Sequence, residues 1–319
     1  MAYLQTQKDN LVLSAIMLAR PLHWLKNLGL FAALFLTGMF FDKVAFREVF
    51  FAFIAFNFAT SATYVFNDIL DAKRDRLHPT KKFRPVASGS VPVILAFFEA
   101  IFLGILALLV SVSLNSLFFF TILGYLVLQL FYSLGLKNIA ILDILIIATG
   151  FIMRVYAGAF VIDAHLSVWF LLCVISVALF LASGKRRAEL NLSQESDILT
   201  RKSLGNYKKD LLNSYVTMFG NASWMSWALF TFFESPKATL PFWLVLAELS
   251  RTTTINKLLM LTIPVTIFGI MRYEYLIFEG KSETPEKLLL SDRALIIAVG
   301  LWVILVYWVL YSGVSATGI

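Results

Sequence analysis

Residues 50–66 read FFAFIAFNFATSATYVF, and residues 67–76 follow without a break as NDILDAKRDR. The first stretch is uncharged; the second carries three acids and three bases. An apolar run that ends abruptly in charge reads as a membrane span emerging at one face of a bilayer. Asp68, Asp71 and Asp75 are three and four residues apart, which on a helix places them on one face. Three like charges at that spacing repel and call for a cation. Mg2+ suits such a face, because it takes oxygen ligands from one or two carboxylates, waters and substrate phosphates. The plainer alternative is a solvated helix end, with Lys73, Arg74 and Arg76 pairing with the acids.

The rest of the chain supplies the same solvent. Of 319 residues, 59% are hydrophobic and 15% charged, and 30 are Phe. A soluble domain is about half apolar and a quarter charged, so this surface needs lipid to cover it. The formal net charge is +7. On so apolar a background, that excess points to anionic lipid or an anionic substrate and away from nucleic acid. Cys173 is the one cysteine, so no intrachain disulfide forms.

Apolar runs long enough to cross lie near 24–41, 47–67, 91–111, 116–134, 139–161, 166–183, 213–233, 257–278 and 293–312. The expected fold is all-α: a polytopic membrane helix bundle of about nine transmembrane helices, in a single domain over 1–319. Residues 240–249, LPFWLVLAEL, are too short to span and read as an interfacial or re-entrant segment. The first apolar run reads as a retained span rather than a cleaved leader. With the N-terminus inside, 21 of the 27 Lys and Arg fall on the inner side, as the positive-inside rule requires. The loops after spans two, four and six then all lie in the cytoplasm. Residues 67–90, 132–138 and 184–210 can converge on one site.

Those loops hold the remaining chemistry. His78-Pro79-Thr80-Lys81-Lys82-Phe83-Arg84-Pro85 is framed by prolines that stop the helix. Lys81 and Arg84 sit just beyond the acids, placed to neutralise phosphate oxygens that a metal does not reach. Tyr132-Ser133 and Lys137 precede Asp143, Gly150 and Arg154. Asp143 and Arg154 are about three turns apart on one face, either as functional groups or as a structural pair needing an intermediate partner. Ser183-Gly184-Lys185-Arg186-Arg187-Ala188-Glu189 opens the third loop. Lys185 and Arg186, at the membrane edge, are better placed for phosphate than Arg187, Lys202, Lys208 and Lys209, which read as a solvated basic face. In Arg20-Pro21-Leu22-His23-Trp24-Leu25-Lys26-Asn27, Trp24 fits the interfacial aromatic belt. Lys26 fits snorkelling or a lipid phosphate equally.

Together these segments resemble the UbiA superfamily of intramembrane transferases, over nearly the whole chain and in the right order. Asn67-Asp68-x-x-Asp71-x-x-x-Asp75 is similar to its first Asp-rich motif. Most members transfer a prenyl group and carry a second Asp-rich motif after span six. Here Lys185-Arg186 and Glu189 stand in its place. That departure resembles the phosphoribosyltransferase branch, as do Arg20-Pro21 with Trp24, Lys26 and Asn27, His78-Pro79 with Lys81, Arg84 and Pro85, Tyr132-Ser133 with Leu136-Lys137 and Asp143, Gly150-Phe151 with Arg154, and the late Pro285-Glu286 and Asp292-Arg293.

The resemblance implies transfer of 5-phosphoribosyl from 5-phosphoribosyl diphosphate to a polyprenyl phosphate, with decaprenyl phosphate one such acceptor. It implies Asp68, Asp71 and Asp75 as the catalytic Mg2+ ligands, assisted by Asn67. Lys81, Arg84, Lys185 and Arg186 would hold the diphosphate and the 5-phosphate. Lys26, Lys137 and Arg154 would face the lipid phosphate or the far side of the pocket, and Arg76, Tyr132 and Glu189 complete the substrate-binding set. It further implies a multi-pass protein of the bacterial plasma membrane with its site facing the cytoplasm, whose Phe- and Leu-rich surface permits a homo-oligomer. A prenyltransferase using a prenyl diphosphate and an aromatic acceptor is the alternative enzyme. A transporter is the alternative outside enzymes, but it would carry matched repeats and mid-membrane charges, whereas most polar motifs here lie at one face.

Overall fold

The computed structural model describes residues 11–77, 81–196, 202–234, 253–279, 288 and 291–311. His78-Pro79, the segment 240–249 and Pro285-Glu286 lie outside the described residues, as do the side chains of Arg201 and Lys202. The described secondary structure is helical throughout.

A short helix α1 (Leu11–Leu18) leads into a 3-10 segment (Pro21–Leu30) and α2 (Phe31–Leu36). Then come α3 (Lys43–Asp75), α4 (Pro85–Ser88), α5 (Val93–Val112), α6 (Ser116–Leu134), α7 (Leu142–Val161) and α8 (Val168–Ser196). After them follow α9 (Lys209–Phe233), α10 (Ile263–Phe278) and α11 (Arg293–Tyr311). Among the described residues, seven helices are long and apolar enough to cross a membrane: α3, α5, α6, α7, the Val168–Asn191 part of α8, Leu258–Phe278 and α11. They coincide with seven of the nine expected spans. The expected span 24–41 is instead a 3-10 segment and a short helix. The expected span 213–233 falls in α9, which is long enough to cross but is interrupted by Asn, Ser and Gly.

α3 decides where the site sits. Its N-terminus is capped by Asp42, whose carboxylate accepts from the N–H groups of Val44 and Ala45. Ala45, Val49, Ala52, Phe56 and Ala59 bury one face of α3 in a core shared with Phe118, Ile122 and Tyr125 of α6 and Ala157 of α7. At 33 residues the helix is about 50 Å long, more than a hydrocarbon core requires. Its last turns therefore carry the Asp-rich motif clear of the apolar core.

The 3-10 segment is pinned against α3 and α7. Trp24 Nε1 donates to Ser61 Oγ at 3.0 Å, and Ser61 Oγ donates to the Ala19 carbonyl at 2.7 Å. Gly158 allows the approach of α7: a Cβ there would lie 1.9 Å from the Leu30 carbonyl oxygen. The other end of the chain closes the bundle, with Tyr311 donating to the Phe35 carbonyl at 2.6 Å and stacking on the Phe35 ring.

The stretch beginning at Gly184 is not a loop. α8 continues unbroken through Lys185, Arg186 and Glu189. Gly184 is tolerated because it packs beneath α10: a Cβ would meet Ile277 at 2.6 Å and Tyr273 at 3.0 Å. Arg187, expected on a solvated face, is buried and donates to Asn213 and Asn191.

Candidate active site

The end of α3 presents its acids as the spacing predicts, and the cations that meet them come from three other places in the chain. Asp68 and Asp75 are buried, at 2% and 3% exposure. Arg84 Nη1 bridges them, 3.1 Å from Asp68 Oδ1 and 2.7 Å from Asp75 Oδ2. Arg20 also pairs with Asp68. Asp71 takes Lys137 Nζ on both oxygens, at 2.8 and 2.9 Å, and Arg74 at 2.8 Å. Asn67 joins the cluster by donating to Asp71 at 3.1 Å and accepting from Lys137 at 3.0 Å. Arg76, expected in the substrate set, instead donates to the Ala87 carbonyl at 3.2 Å and braces α4.

Arg20 reaches Asp68 from a backbone held in the left-handed region, at φ 53°. Such a conformation is uncommon for a side-chain-bearing residue and persists only where contacts enforce it. Here the salt bridge below and the 3-10 turn above do so.

A second charged group stands on α8. Arg186 is fully buried, with Nε 2.6 Å from Asp143 Oδ2, and it also pairs with Glu189 and donates to the Tyr132 hydroxyl at 2.9 Å. Asp143 in turn accepts from Tyr207 at 2.7 Å and Ser203 at 3.1 Å. Burial, and then the bond to the Asp143 carboxylate, push the Tyr207 phenol above its ordinary range, so it stays a donor. Two carboxylates thus hold the Arg186 guanidinium, so the residue expected to bind phosphate is instead buried as part of this group's own ion pairing. Asp143 and Arg154, expected on one face, each have their own partners and do not meet.

Arg154 lies deeper, at 5% exposure. Its three nitrogens donate to Asn27 Oδ1 at 2.6 Å, to the Gly150 carbonyl, and to Tyr125 at 3.1 Å. Asn27 donates onward to Asn57 at 2.6 Å and Thr60 at 3.1 Å. Among the described residues no carboxylate pairs with Arg154. It is a buried cation held by neutral dipoles and by the rings of Phe56, Tyr125 and Phe151.

Next to this cluster opens a cavity of about 450 Å3. Gly29, Phe151, Val155, Phe170, Trp227 and Trp302 are among its walls, and Lys26 is its one charged lining residue among those described.

The oxygen-only donor set of Asp68, Asp71, Asp75 and Asn67 fits a hard divalent cation. Among the described residues no three His, Cys, Asp or Glu gather as a cage. As they stand, the three carboxylates are paired with Arg20, Arg84, Lys137 and Arg74. Several residues of this region are not candidates on sequence alone, among them Ser203, Tyr207 and Tyr125, and with them Arg20 and its ring partner Tyr64. Arg20 was visible only as part of a motif. Tyr64 sits one turn before Asp68 on α3, and that spacing was the available signal.

The fold and the site define an intramembrane transferase of the UbiA type. The UbiA prenyltransferase family matches residues 28–186, and the chain belongs to that family. The chain is 36% identical over 299 residues to the decaprenyl-phosphate phosphoribosyltransferase of Mycolicibacterium smegmatis, covering 92% of this chain and 91% of that one. The protein of the same name from Corynebacterium glutamicum is 34% identical over 312 residues, covering 95% and 88%. Among solved structures, a UbiA homologue from Archaeoglobus fulgidus bound to GPP and Mg2+ superposes with a TM-score of 0.69 at 18% identity, over 93% of this chain and 99% of that one. This second likeness is one of fold.

Proposed function

We propose that the protein transfers the 5-phosphoribosyl group from 5-phosphoribosyl diphosphate to a polyprenyl phosphate, on the cytoplasmic side of a bacterial plasma membrane. The observation that carries this reading is the chemistry set against the α3 acids: Lys185 on α8, beside an Arg186 fixed by Asp143 and Glu189, where a second acidic motif would serve a prenyl diphosphate. A donor with an additional 5-phosphate gives a physical reason for that exchange. The likeness to the two named phosphoribosyltransferases supports the same donor and acceptor.

An acceptor phosphate oxygen forms the new bond to C1 of the ribose, the bond from C1 to the diphosphate breaks, and diphosphate leaves. The acceptor is already anionic, so no strong general base is required, and the protein's work is positioning and charge stabilisation. Asp68, Asp71 and Asp75, with Asn67, would hold Mg2+, which neutralises charge on the leaving diphosphate. Arg84, Arg20 and Lys137 already stand at those carboxylates and can turn to phosphate oxygens as substrate enters. Lys81 and Lys185 are the further phosphate contacts. Arg186 orders the charged group on α8, fixed by Asp143, Glu189 and Tyr132. Lys26 marks where the lipid phosphate ends and its apolar chain enters the cavity.

Purified protein in detergent with Mg2+, labelled phosphoribosyl diphosphate and a polyprenyl phosphate is expected to yield a labelled lipid. Turnover of a prenyl diphosphate with no lipid-linked label would overturn the reading.

A further inference from the structure

We propose that Tyr64 is a substrate-positioning residue whose hydroxyl donates to the phosphate of the lipid acceptor, a role that rests on the transfer reading above. Tyr64 stands on α3 four residues before Asp68, so both side chains project from the same face. Its ring is fixed from two sides. His23 packs against it with centroids 5.1 Å apart, and the Arg20 guanidinium lies 5.1 Å from its centroid.

The hydroxyl has no hydrogen-bond partner among the described residues. Four cations lie close enough to act on it electrostatically: Lys26, Arg154, Lys185 and Arg20. They come from the 3-10 segment and the residue before it, from α7 and from α8, so the phenol is where three parts of the bundle aim positive charge. Arg20 is paired with Asp68, but Arg154 has no carboxylate partner among the described residues. In a medium that screens charge poorly, such a grouping favours a bound anion.

The neighbouring cavity says which anion. Lys26 belongs both to the four cations and to the lining of the apolar cavity. An anion bound at Tyr64 would therefore share Lys26 with an apolar chamber, which fits the phosphate of an amphiphile better than a free sugar phosphate. Asp68, one turn along α3, places the donor's diphosphate on the far side. Tyr64 lies between the two substrates, where a donor to a non-bridging oxygen of the acceptor would fix which oxygen faces the ribose.

The test compares full-length wild-type protein with Tyr64→Phe, which keeps the ring against His23 and Arg20. Equilibrium binding of a short-chain polyprenyl phosphate is measured beside the matching polyprenol, with binding of phosphoribosyl diphosphate and Mg2+ as the control. The expected result is a preference for the phosphate in the wild type that falls roughly tenfold in the variant, as befits loss of one hydrogen bond to a charged group. The KM for the acceptor rises in step, while donor affinity is unchanged. Full retention of the preference, or an equal loss of donor affinity, would overturn the assignment. A wild-type protein with no preference for the phosphate overturns it too. Absence of product from wild type defeats the transfer reading alone, because the binding comparison needs no turnover.

Discussion

The acids of α3 differ in what their loss would do. Asp71 lies at the margin of the site and shares Lys137 and Arg74. Asp71→Asn is expected to leave a folded, membrane-inserted protein with no measurable turnover, checked by labelled lipid product and size-exclusion elution. Asp68→Asn should also abolish turnover, and unchanged activity in both variants would overturn the metal assignment. Asp143 is a different case. It touches the buried Arg186, and Asp143→Ala would leave that guanidinium with Glu189 as its remaining ionic partner. Removing one partner of a buried pair costs about 3–5 kcal/mol, and the retained Glu189 places this variant toward the lower end. A lowered thermal midpoint in detergent is the readout. The α3 acids were legible beforehand because their spacing alone sets a common face. The partners of Asp143 were not, because Ser203, Tyr207 and Arg186 arrive from distant segments.

Among the helices, the contact of α7 with the 3-10 segment carries the sharpest prediction. Gly to Ala inside a helix ordinarily gains about 0.5–1 kcal/mol. At Gly158 the sign reverses, because the new methyl would run into the Leu30 carbonyl oxygen at 1.9 Å. Gly158→Ala is expected to lower stability and to raise the KM for the acceptor, since displacing Pro21–Leu30 displaces Lys26 with it. An acceptor KM equal to wild type would count against Lys26 as the lipid-phosphate marker. The continuation of α8 past Gly184 belongs here too. Reading 184–210 as a loop followed from its charges and its glycine. The helix persists because Arg186 and Glu189 pair at i and i+3 and because Gly184 fills a gap too small for any side chain.

For the bundle in its bilayer, the charge bias predicts which side each connection faces. In a Cys173→Ser background, Lys82→Cys is expected to react with an impermeant thiol reagent only from the cytoplasmic side, and Lys43→Cys only from the outside. Both positions are exposed, so accessibility is set by the membrane alone. Labelling of both from one side would refute the orientation. The large apolar residues exposed along α5, such as Phe98, Phe102 and Leu109, need no protein partner in this setting, because lipid covers them.

The chain's own order of residues was enough to establish a polytopic helical membrane protein, an acidic face at the end of its second long apolar run, and the gathering of its polar segments on one side. These follow from local quantities: the length of an apolar run, the 3.6-residue period and the parity of successive crossings. Folding decided which cation meets which acid. Arg20 reaches Asp68 across 48 positions of sequence and Lys137 reaches Asp71 across 66, and no periodicity encodes either pairing. It also decided that Arg154 answers to Asn27 rather than to Asp143, and that Lys26 lines an apolar chamber. Each depends on how closely helices approach, which is set by the missing side chain at Gly158 and the packed ring of Phe56 against surfaces that the sequence does not place side by side.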